Sequence, residues 1–240
     1  MAVDSIPRAR TRRVAAVLVL ALAVACGTLT AAPAQAQRPH DKLAGRASDH
    51  SRLVPGAAWD PCRTITYAIN TRHLRANAKG KRAFVREVRW SIRQIRRASG
   101  LRFRQVADTT AVPQRGVANP EGVDVLVAWA RPGKDSDWLT DRRQLGYGGA
   151  SASAGRLQDG FVLLNASVSH RYPAKRFPGN RKAWNRRVTV LHELSHAVGA
   201  GHARGKKQIM YPTLTGKAWR FGAGDAAGMK ELGGDRSTCG

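Results

Sequence analysis

The stretch from His192 to His202 reads HELSHAVGAGH, and its spacing restricts the chemistry of this chain more than any other segment. Side chains four residues apart lie on one face of an α-helix, so His192 and His196 can direct their imidazoles to one point. Gly199 can adopt the left-handed conformation that ends a helix, and the chain can then return His202 as a third nitrogen ligand. Glu193 lies beside the first ligand. Three protein ligands with an open fourth position are typical of catalytic zinc.

A second motif lies downstream, where residues 209–212 read IMYP. With this spacing the two motifs resemble those of the metzincin metallopeptidases, and the Met-Tyr-Pro form is similar to the matrixin branch. The resemblance implies that Met210 forms a methionine turn beneath the metal without being a ligand. It also implies that Tyr211, Pro212 and Thr213 line the pocket for the residue after the cleaved bond.

The function that the resemblance implies is that of a secreted zinc-dependent endopeptidase with one catalytic Zn²⁺. Zinc lowers the pKa of its bound water toward about 7 and polarises the scissile carbonyl, and Glu193 would be the general base. Two other functions remain open. One is a secreted polyanion- or cell-wall-binding protein with a vestigial zinc site, which would have no use for the Glu193 carboxylate. The other is a non-peptidase zinc amidase, against which the Met-Tyr-Pro motif argues.

Apolar periodicity around the motif predicts an α+β chain. The predicted strands cover 64–69, 101–106, 123–129, 145–150 and 161–164, and the predicted helices cover 81–98, 182–197 and 225–232. This order resembles the metzincin order over about residues 59–234. It implies a mixed twisted sheet with two long helices, a zinc cleft and a small C-terminal subdomain that carries the Met-turn.

The sequence around Gly146, Tyr147 and Gly148 falls where the family places the edge strand above the cleft. An edge strand presents unpaired N–H and C=O groups, so an extended peptide substrate can add to the sheet there. Glycine in a strand permits the close approach of another backbone. We therefore expect these three residues to contact the substrate, although a glycine-rich loop would have the same composition.

The chain is predicted to comprise a signal peptide over 1–36, a disordered N-terminal tail over 37–55 and a catalytic domain over 56–240. Arginines precede an apolar run from Val14 to Ala25, which is too short to span a bilayer, and an Ala-Gln-Ala site ends at residue 36. We expect cleavage there and export of the protein. A lipoprotein site at Cys26 lacks the usual leucine, and Sec and twin-arginine export are not distinguished.

Once Cys26 is removed with the signal peptide, Cys62 and Cys239 remain as an even pair, which predicts a disulfide in an oxidising compartment. So long a loop would contribute about 5 kcal/mol in the chain-entropy treatment. The alternative is that Cys62 binds the zinc as a latency thiolate, as in matrixin propeptides. The sequence leads directly from Cys62 into a strand, which favours the disulfide.

The charge is strongly positive, at +25 for the whole chain. Loss of residues 1–36 removes four arginines and Asp4 and leaves about +22. Such a charge suits anionic cell-surface polymers, although a general arginine-rich composition would give it too. No motif indicates specific nucleic-acid binding, and we expect a monomer without a transmembrane segment. Calcium could bind at Asp135, Asp137 and Asp141, but no calcium-loop pattern supports it.

Overall fold

The computed structural model describes residues 43–171, 185–237 and 239. The strands are β1 Thr64–Asn70, β2 Arg102–Gln105, β3 Val125–Ala130, β4 Gly146–Ser153 and β5 Arg156–Asn165, and the helices are α1 Ala78–Ser99, α2 Arg186–Ala197 and α3 Ala223–Leu232, with a 3₁₀ helix at Ala166–Arg171. The predicted α+β class is confirmed. The predicted signal peptide over 1–36, the lipoprotein site at Cys26 and the expected start of the zinc helix at Lys182 lie outside the described residues.

The five strands form one mixed sheet in the order β2-β1-β3-β5-β4. β1 pairs with β2 and β3 in parallel, and β3 pairs with β5 in parallel. β4 runs antiparallel to β5 and lies at the edge opposite β2. The strand predicted around Gly146 is therefore an edge strand, as the sequence indicates.

The β4–β5 hairpin is longer than the sequence predicts, because β5 begins at Arg156 rather than at Phe161. The turn consists of Ala154 and Gly155, which have φ angles of 48° and 73°. Two successive residues with positive φ form the tight turn whose twist matches paired strands. The hairpin therefore extends the pairing beyond the apolar part of β5.

α1 is a long amphipathic helix that covers one face of the sheet. Asn77 caps its first turn by accepting a hydrogen bond from the Gly80 N–H, and Gly100 ends it in the left-handed conformation with φ of 77°. The predicted apolar stripe is buried, with Phe84 and Val88 completely inaccessible to solvent. The helix is confirmed and extends beyond the predicted range of 81–98 at both ends.

α2, which carries most of the histidine motif, begins at Arg186 in the described part of the chain. Asn185 has extended backbone angles and caps the helix by accepting a hydrogen bond from the Arg187 N–H. The helical residues from Val188 to Ala197 are all buried. A helix that is buried on every side shows no polar face, so apolar periodicity does not mark its start.

The sheet separates two apolar clusters, as the alternation of side chains along β3 requires. Val127 and Trp129 point into the larger cluster, which α1 and α2 share, whereas Ala128 and Ala130 point into the smaller one. In the smaller cluster Trp138 stacks on Tyr147 and Phe161. The larger cluster therefore supports the face of the sheet on which α2 carries its histidines.

The N-terminal segment, defined as residues 43–55, packs against the loop that follows α2. The Ser51 hydroxyl donates to the His202 carbonyl at 2.8 Å, and the Leu53 N–H donates to the Gly199 carbonyl at 2.8 Å. The prediction of a disordered tail is wrong over this segment. Its order comes from backbone pairing and from single side-chain bonds, which leave no periodicity in the sequence.

Cys62 and Cys239 form the predicted disulfide, with Cα atoms 5.3 Å apart. The bond joins the residues before β1 to the C-terminus, and it excludes a latency role for the Cys62 thiolate in this state. Among the described residues, no helix combines the length and apolar character that crossing a bilayer would require.

Candidate active site

Most of the motif lies in the second half of α2. His192, Glu193 and His196 are all buried, and the four-residue spacing places both imidazoles on one side of the helix. After the helix ends, Gly199 turns the chain with φ of 105°, a conformation that favours glycine. This turn returns His202 to the same place, as the sequence predicts.

The three imidazoles converge through their Nε2 atoms. The Nε2 atom of His196 lies 3.2 Å from that of His192 and 3.2 Å from that of His202. Two nitrogens bound to one tetrahedral zinc at about 2.0–2.1 Å are about 3.3 Å apart. Within the described ranges, these residues form the one group of three or more histidine, cysteine or acidic side chains close enough to share a metal ion.

The opposite ring nitrogens are held by backbone carbonyls. Nδ1 of His192 lies 2.7 Å from the Ile209 oxygen, and Nδ1 of His196 lies 2.7 Å from the Ala200 oxygen. A carbonyl oxygen can only accept a hydrogen bond, so each Nδ1 carries the proton. The Nε2 lone pairs are therefore directed toward the common point, as in histidines that bind a metal.

Burial also keeps these rings neutral. It lowers the pKa of His192 to about 4, despite the bond to Ile209, and it lowers the pKa of His196 to about 3 together with the neighbouring His192. The pKa of His202 is lowered as well, again by burial. A neutral imidazole is the form that binds a metal ion. In separation, tautomer and charge, the three histidines fit Zn²⁺.

Glu193 points from α2 toward β4. Burial raises the pKa of its carboxyl group to about 8, and a hydrogen bond from the Gly148 N–H opposes that rise. Desolvation disfavours the charged form of a carboxyl group, and a donor directed at it favours that form. The Gly148 N–H therefore fixes the orientation of the one buried carboxyl group beside the histidines.

The glycines of β4 allow α2 to approach the strand. A Cβ atom at Gly148 would lie 2.2 Å from the backbone oxygen of Glu193, and one at Gly146 would lie 2.9 Å from Glu193 Cγ. The close neighbour of these two glycines is therefore Glu193 of α2, and their contact with a substrate backbone stays a prediction. Tyr147, between them, stacks its ring on Trp138 and contacts Phe161 at a tilt in the smaller cluster.

A cleft of about 760 Å³ opens at the histidines. Its walls come from the N-terminal segment, the residues before and within β4, α2, and the chain after Met210: Ser51, Arg52, Leu53, Gln144, Leu145, Gly146, Tyr147, Gly148, Thr189, His192, Glu193, His196, Gly201, His202, Pro212, Thr213 and Leu214. Pro212 and Thr213 line the cleft as predicted. Tyr211 is not among the lining residues, and its contact with a substrate stays a prediction.

The turn around Met210 is held from α3. Met210 is buried, and the Asp225 carboxylate accepts hydrogen bonds from the N–H groups of Ile209 at 2.6 Å, Met210 at 3.0 Å and Gly222 at 2.9 Å. The Ile209 carbonyl in turn supports His192. Asp225 therefore connects α3 to the first histidine through one peptide unit.

Sequence reasoning missed two of these supports. Asp225 was assigned only to the closing helix, although an acidic residue in the first turn of a short, apolar helix is a signal for backbone hydrogen bonds. Ser51 was assigned to the tail, and the Leu53–Val54 pair was the available sign that this tail packs. Both residues support the motif by hydrogen bonds to backbone groups. The spacing of side chains in a sequence does not reveal such bonds.

The three aspartates considered for calcium are used separately. Asp135 binds Arg131 at 2.7 Å, Asp137 accepts from the Arg115 N–H at 2.8 Å, and Asp141 accepts from a neighbouring backbone N–H at 2.7 Å. His73 lies 3.6 Å from Asp135, in a structural role. The structure gives no support to a calcium site at these residues.

Comparison with known families agrees with this geometry. Residues 58–234 match the family profile described as Matrixin, a range that includes all five strands, both long helices and the three histidines. No curated protein matches the chain. Because the match covers well over half of the sequence and the histidines have the arrangement of a zinc site, the chain belongs to the matrixin family of metallopeptidases and has the metzincin-like fold that the sequence predicts.

Proposed function

We propose that this protein is a secreted zinc-dependent endopeptidase in which Glu193 is the general base. The observation that supports the proposal best is the convergence of three Nε2 atoms, 3.2 Å apart in two pairs, beside a buried carboxyl group in an open cleft. Membership of the matrixin family supports the same reaction class. His192, His196 and His202 would hold the ion.

When bound, Zn²⁺ would supply a Lewis acid that polarises the scissile carbonyl and makes a water molecule more acidic. Glu193 takes a proton from that water and later passes it to the leaving amine. Burial raises the pKa of this carboxyl group, which makes the carboxylate a stronger proton acceptor than an exposed glutamate. The Gly148 N–H holds the carboxyl group in place during both transfers.

The substrate would bind as an extended strand along the outer edge of β4. β4 pairs with β5 on one side only, so its other edge can pair with an added strand. Gly146, Tyr147 and Gly148 line the cleft at this edge. Pro212 and Thr213 form the facing wall and would contact the residue after the cleaved bond, while Leu214 adds apolar surface.

Export is part of the proposal. The apolar run from Val14 to Ala25 and the Ala-Gln-Ala site ending at residue 36 support a cleaved signal peptide. The disulfide between Cys62 and Cys239 supports an oxidising compartment, because such bonds are rare in reducing ones. N-terminal sequencing of the protein from culture medium, with Gln37 as the expected first residue, tests this assignment.

The enzymatic proposal is tested by cleavage of casein with the wild-type protein, Glu193→Gln and Glu121→Gln. Glu121 is exposed, so its variant removes a carboxylate without changing the cleft. We expect Glu193→Gln to lose activity by about 10²–10⁴-fold while it retains one zinc per chain, and Glu121→Gln to keep full activity. Chelation should abolish cleavage, and added zinc should restore it.

Two results would contradict the proposal. Cleavage that survives both chelation and the Glu193 substitution would show that another site is responsible. A wild-type protein that binds one zinc and leaves casein and a random peptide library intact would show that the cleft is not an endopeptidase site.

A further inference from the structure

A straight row of arginines runs along the outer face of α1. This arginine stripe consists of Arg82, Arg86, Arg89, Arg93 and Arg96, all of which are exposed. Their spacing alternates between four and three residues, so at 3.6 residues per turn they stay within a band of about 80° around the helix. At a rise of about 1.5 Å per residue, the stripe is about 21 Å long.

No acidic side chain in the described part of the chain neutralises the charge of this stripe. In the part of the chain that the structure describes, no ion pair within 4.0 Å involves any of the five guanidinium groups. Glu87, the one acidic residue of α1, lies on another side and binds Arg186 at 2.5 Å. Each pair of like charges three or four residues apart destabilises a helix by about 0.2–0.5 kcal/mol. An external polyanion would relieve that repulsion.

The arginine side chains of the stripe indicate which class of polyanion would bind. Every position of the stripe is arginine and none is lysine, and the planar guanidinium binds phosphate oxygens in pairs, whereas an ammonium acts as a point charge. Successive arginines rise by about 4.5–6 Å, which a flexible chain of phosphodiesters with short spacers can match. A single row suits one linear chain better than a flat surface such as a membrane.

The stripe has no platform for nucleobases. Proteins that bind single-stranded nucleic acid interleave basic residues with aromatic rings on which bases stack. Two aromatic residues lie beside the stripe. The Trp90 ring is covered by the Arg187 guanidinium at 4.9 Å and packs against the larger apolar cluster, and Tyr67, which hydrogen-bonds to Arg89, is buried. This arrangement favours a phosphate polymer without bases.

From these observations we infer that the arginine stripe is a docking surface for a linear polyol-phosphate polymer. Arg89 donates to Gln105 of β2 at 2.8 Å, which places the stripe toward the β2 edge of the sheet. The cleft lies at β4, the opposite edge. A polymer bound to the stripe leaves the cleft open, so docking holds the protein on a surface while the cleft accepts a substrate.

The test measures binding of fluorescein-labelled poly(glycerol phosphate) by anisotropy over a series of salt concentrations. The test variant replaces Arg82, Arg86, Arg93 and Arg96 with glutamine, which keeps a good helix former at each position. The control replaces four exposed arginines elsewhere with glutamine, namely Arg72, Arg75, Arg104 and Arg142. Both variants lose the same charge. All proteins also carry Glu193→Gln, so the readout does not depend on peptidase activity.

We expect the stripe variant to bind the polymer about tenfold more weakly, or weaker still. Its slope of log K against log salt concentration should be shallower by about 3, because each of the four lost phosphate contacts contributes about 0.7 to that slope. The control should change both values much less. Equal losses in the two variants would overturn the proposal in favour of a diffuse charge effect. Tighter binding of single-stranded DNA of equal charge would also overturn it, as would the absence of binding to the polymer.

Discussion

The two neighbouring helices α1 and α2 depend on different kinds of contact. α1 buries one apolar stripe and exposes the rest of its surface, whereas α2 is buried from Val188 to Ala197 on every side. The stability of α1 therefore comes from apolar area, and its outer face is free to carry charge. α2 contains polar side chains that are buried, so each one needs a partner of its own.

Those partners are present for each polar residue in the buried part of α2. Ser195 donates to the Leu191 carbonyl at 2.7 Å, and Thr189 donates to the Asn185 carbonyl at 3.2 Å. The two histidines and Glu193 use backbone groups of other elements. The comparison teaches that the function of α2 rests on elements outside the helix, and that small changes there should have large effects.

The largest effect is expected for Gly148→Ala. The added Cβ would lie 2.2 Å from the Glu193 carbonyl oxygen, so α2 and β4 must separate. We expect a loss of about 3 kcal/mol in the free energy of unfolding, as for an overpacked core, and loss of measurable cleavage. Urea unfolding checks the first value. Ser153→Ala, on an exposed position of the same strand, should change neither, and wild-type stability in Gly148→Ala would show that β4 can move freely.

A smaller effect is expected for Asp225→Asn. The carboxylate accepts three backbone N–H groups, whereas an amide offers one acceptor oxygen and two donors. We expect about 2 kcal/mol of destabilisation from the donors left unpaired. Since Ile209 supports His192, zinc affinity should fall by about tenfold, measured by competition with a chelator. The exposed Asp141→Asn is the control, and unchanged zinc affinity in Asp225→Asn would contradict the role of the turn.

The contrast between α1 and α2 also explains which features of the fold can be predicted from the sequence. α1 was predictable because one side of it faces water, and the apolar spacing of Phe84, Val88, Ile92 and Ile95 shows the helical period. The histidines were predictable because His192 and His196 lie on one helix and His202 follows one glycine turn. These features depend on local spacing, which a sequence displays directly.

The features that the sequence did not reveal depend on contacts between distant segments. Ser51 bonds to the carbonyl of His202 across 151 positions, and Glu231 holds the N-terminal segment across 179.

A modest, pH-dependent effect is expected where the N-terminal segment joins α3. Hydrogen bonds from His50 and Arg52 hold the pKa of Glu231 below its ordinary value of 4.5. The folded protein therefore binds this proton less tightly than the unfolded chain, so the stabilisation is fully present above pH 4.5 and is lost as the pH falls through the lowered pKa. Because Glu231 is about half exposed, the contribution is about 0.5 kcal/mol or less.

This effect is measured as the difference in unfolding free energy between the wild-type protein and Glu231→Gln. We expect a small deficit in the variant near pH 6 that shrinks as the pH falls through the lowered pKa of Glu231, because the carboxyl group then becomes neutral like the glutamine side chain. A deficit that persists at low pH would show that Glu231 stabilises the segment by packing rather than by charge.

The smallest effect is expected on the outer face of α1. Arg86→Gln removes repulsion with Arg82 and Arg89 and keeps the helix propensity, so the free energy of unfolding should change by less than about 0.5 kcal/mol, toward greater stability. Val88 lies two residues further along the same helix and is completely buried. Val88→Ala should therefore lower the free energy of unfolding by about 2 kcal/mol. A comparable loss in Arg86→Gln would mean that the arginine stem packs on the protein. The arginine stripe would then be part of the fold and not a free surface.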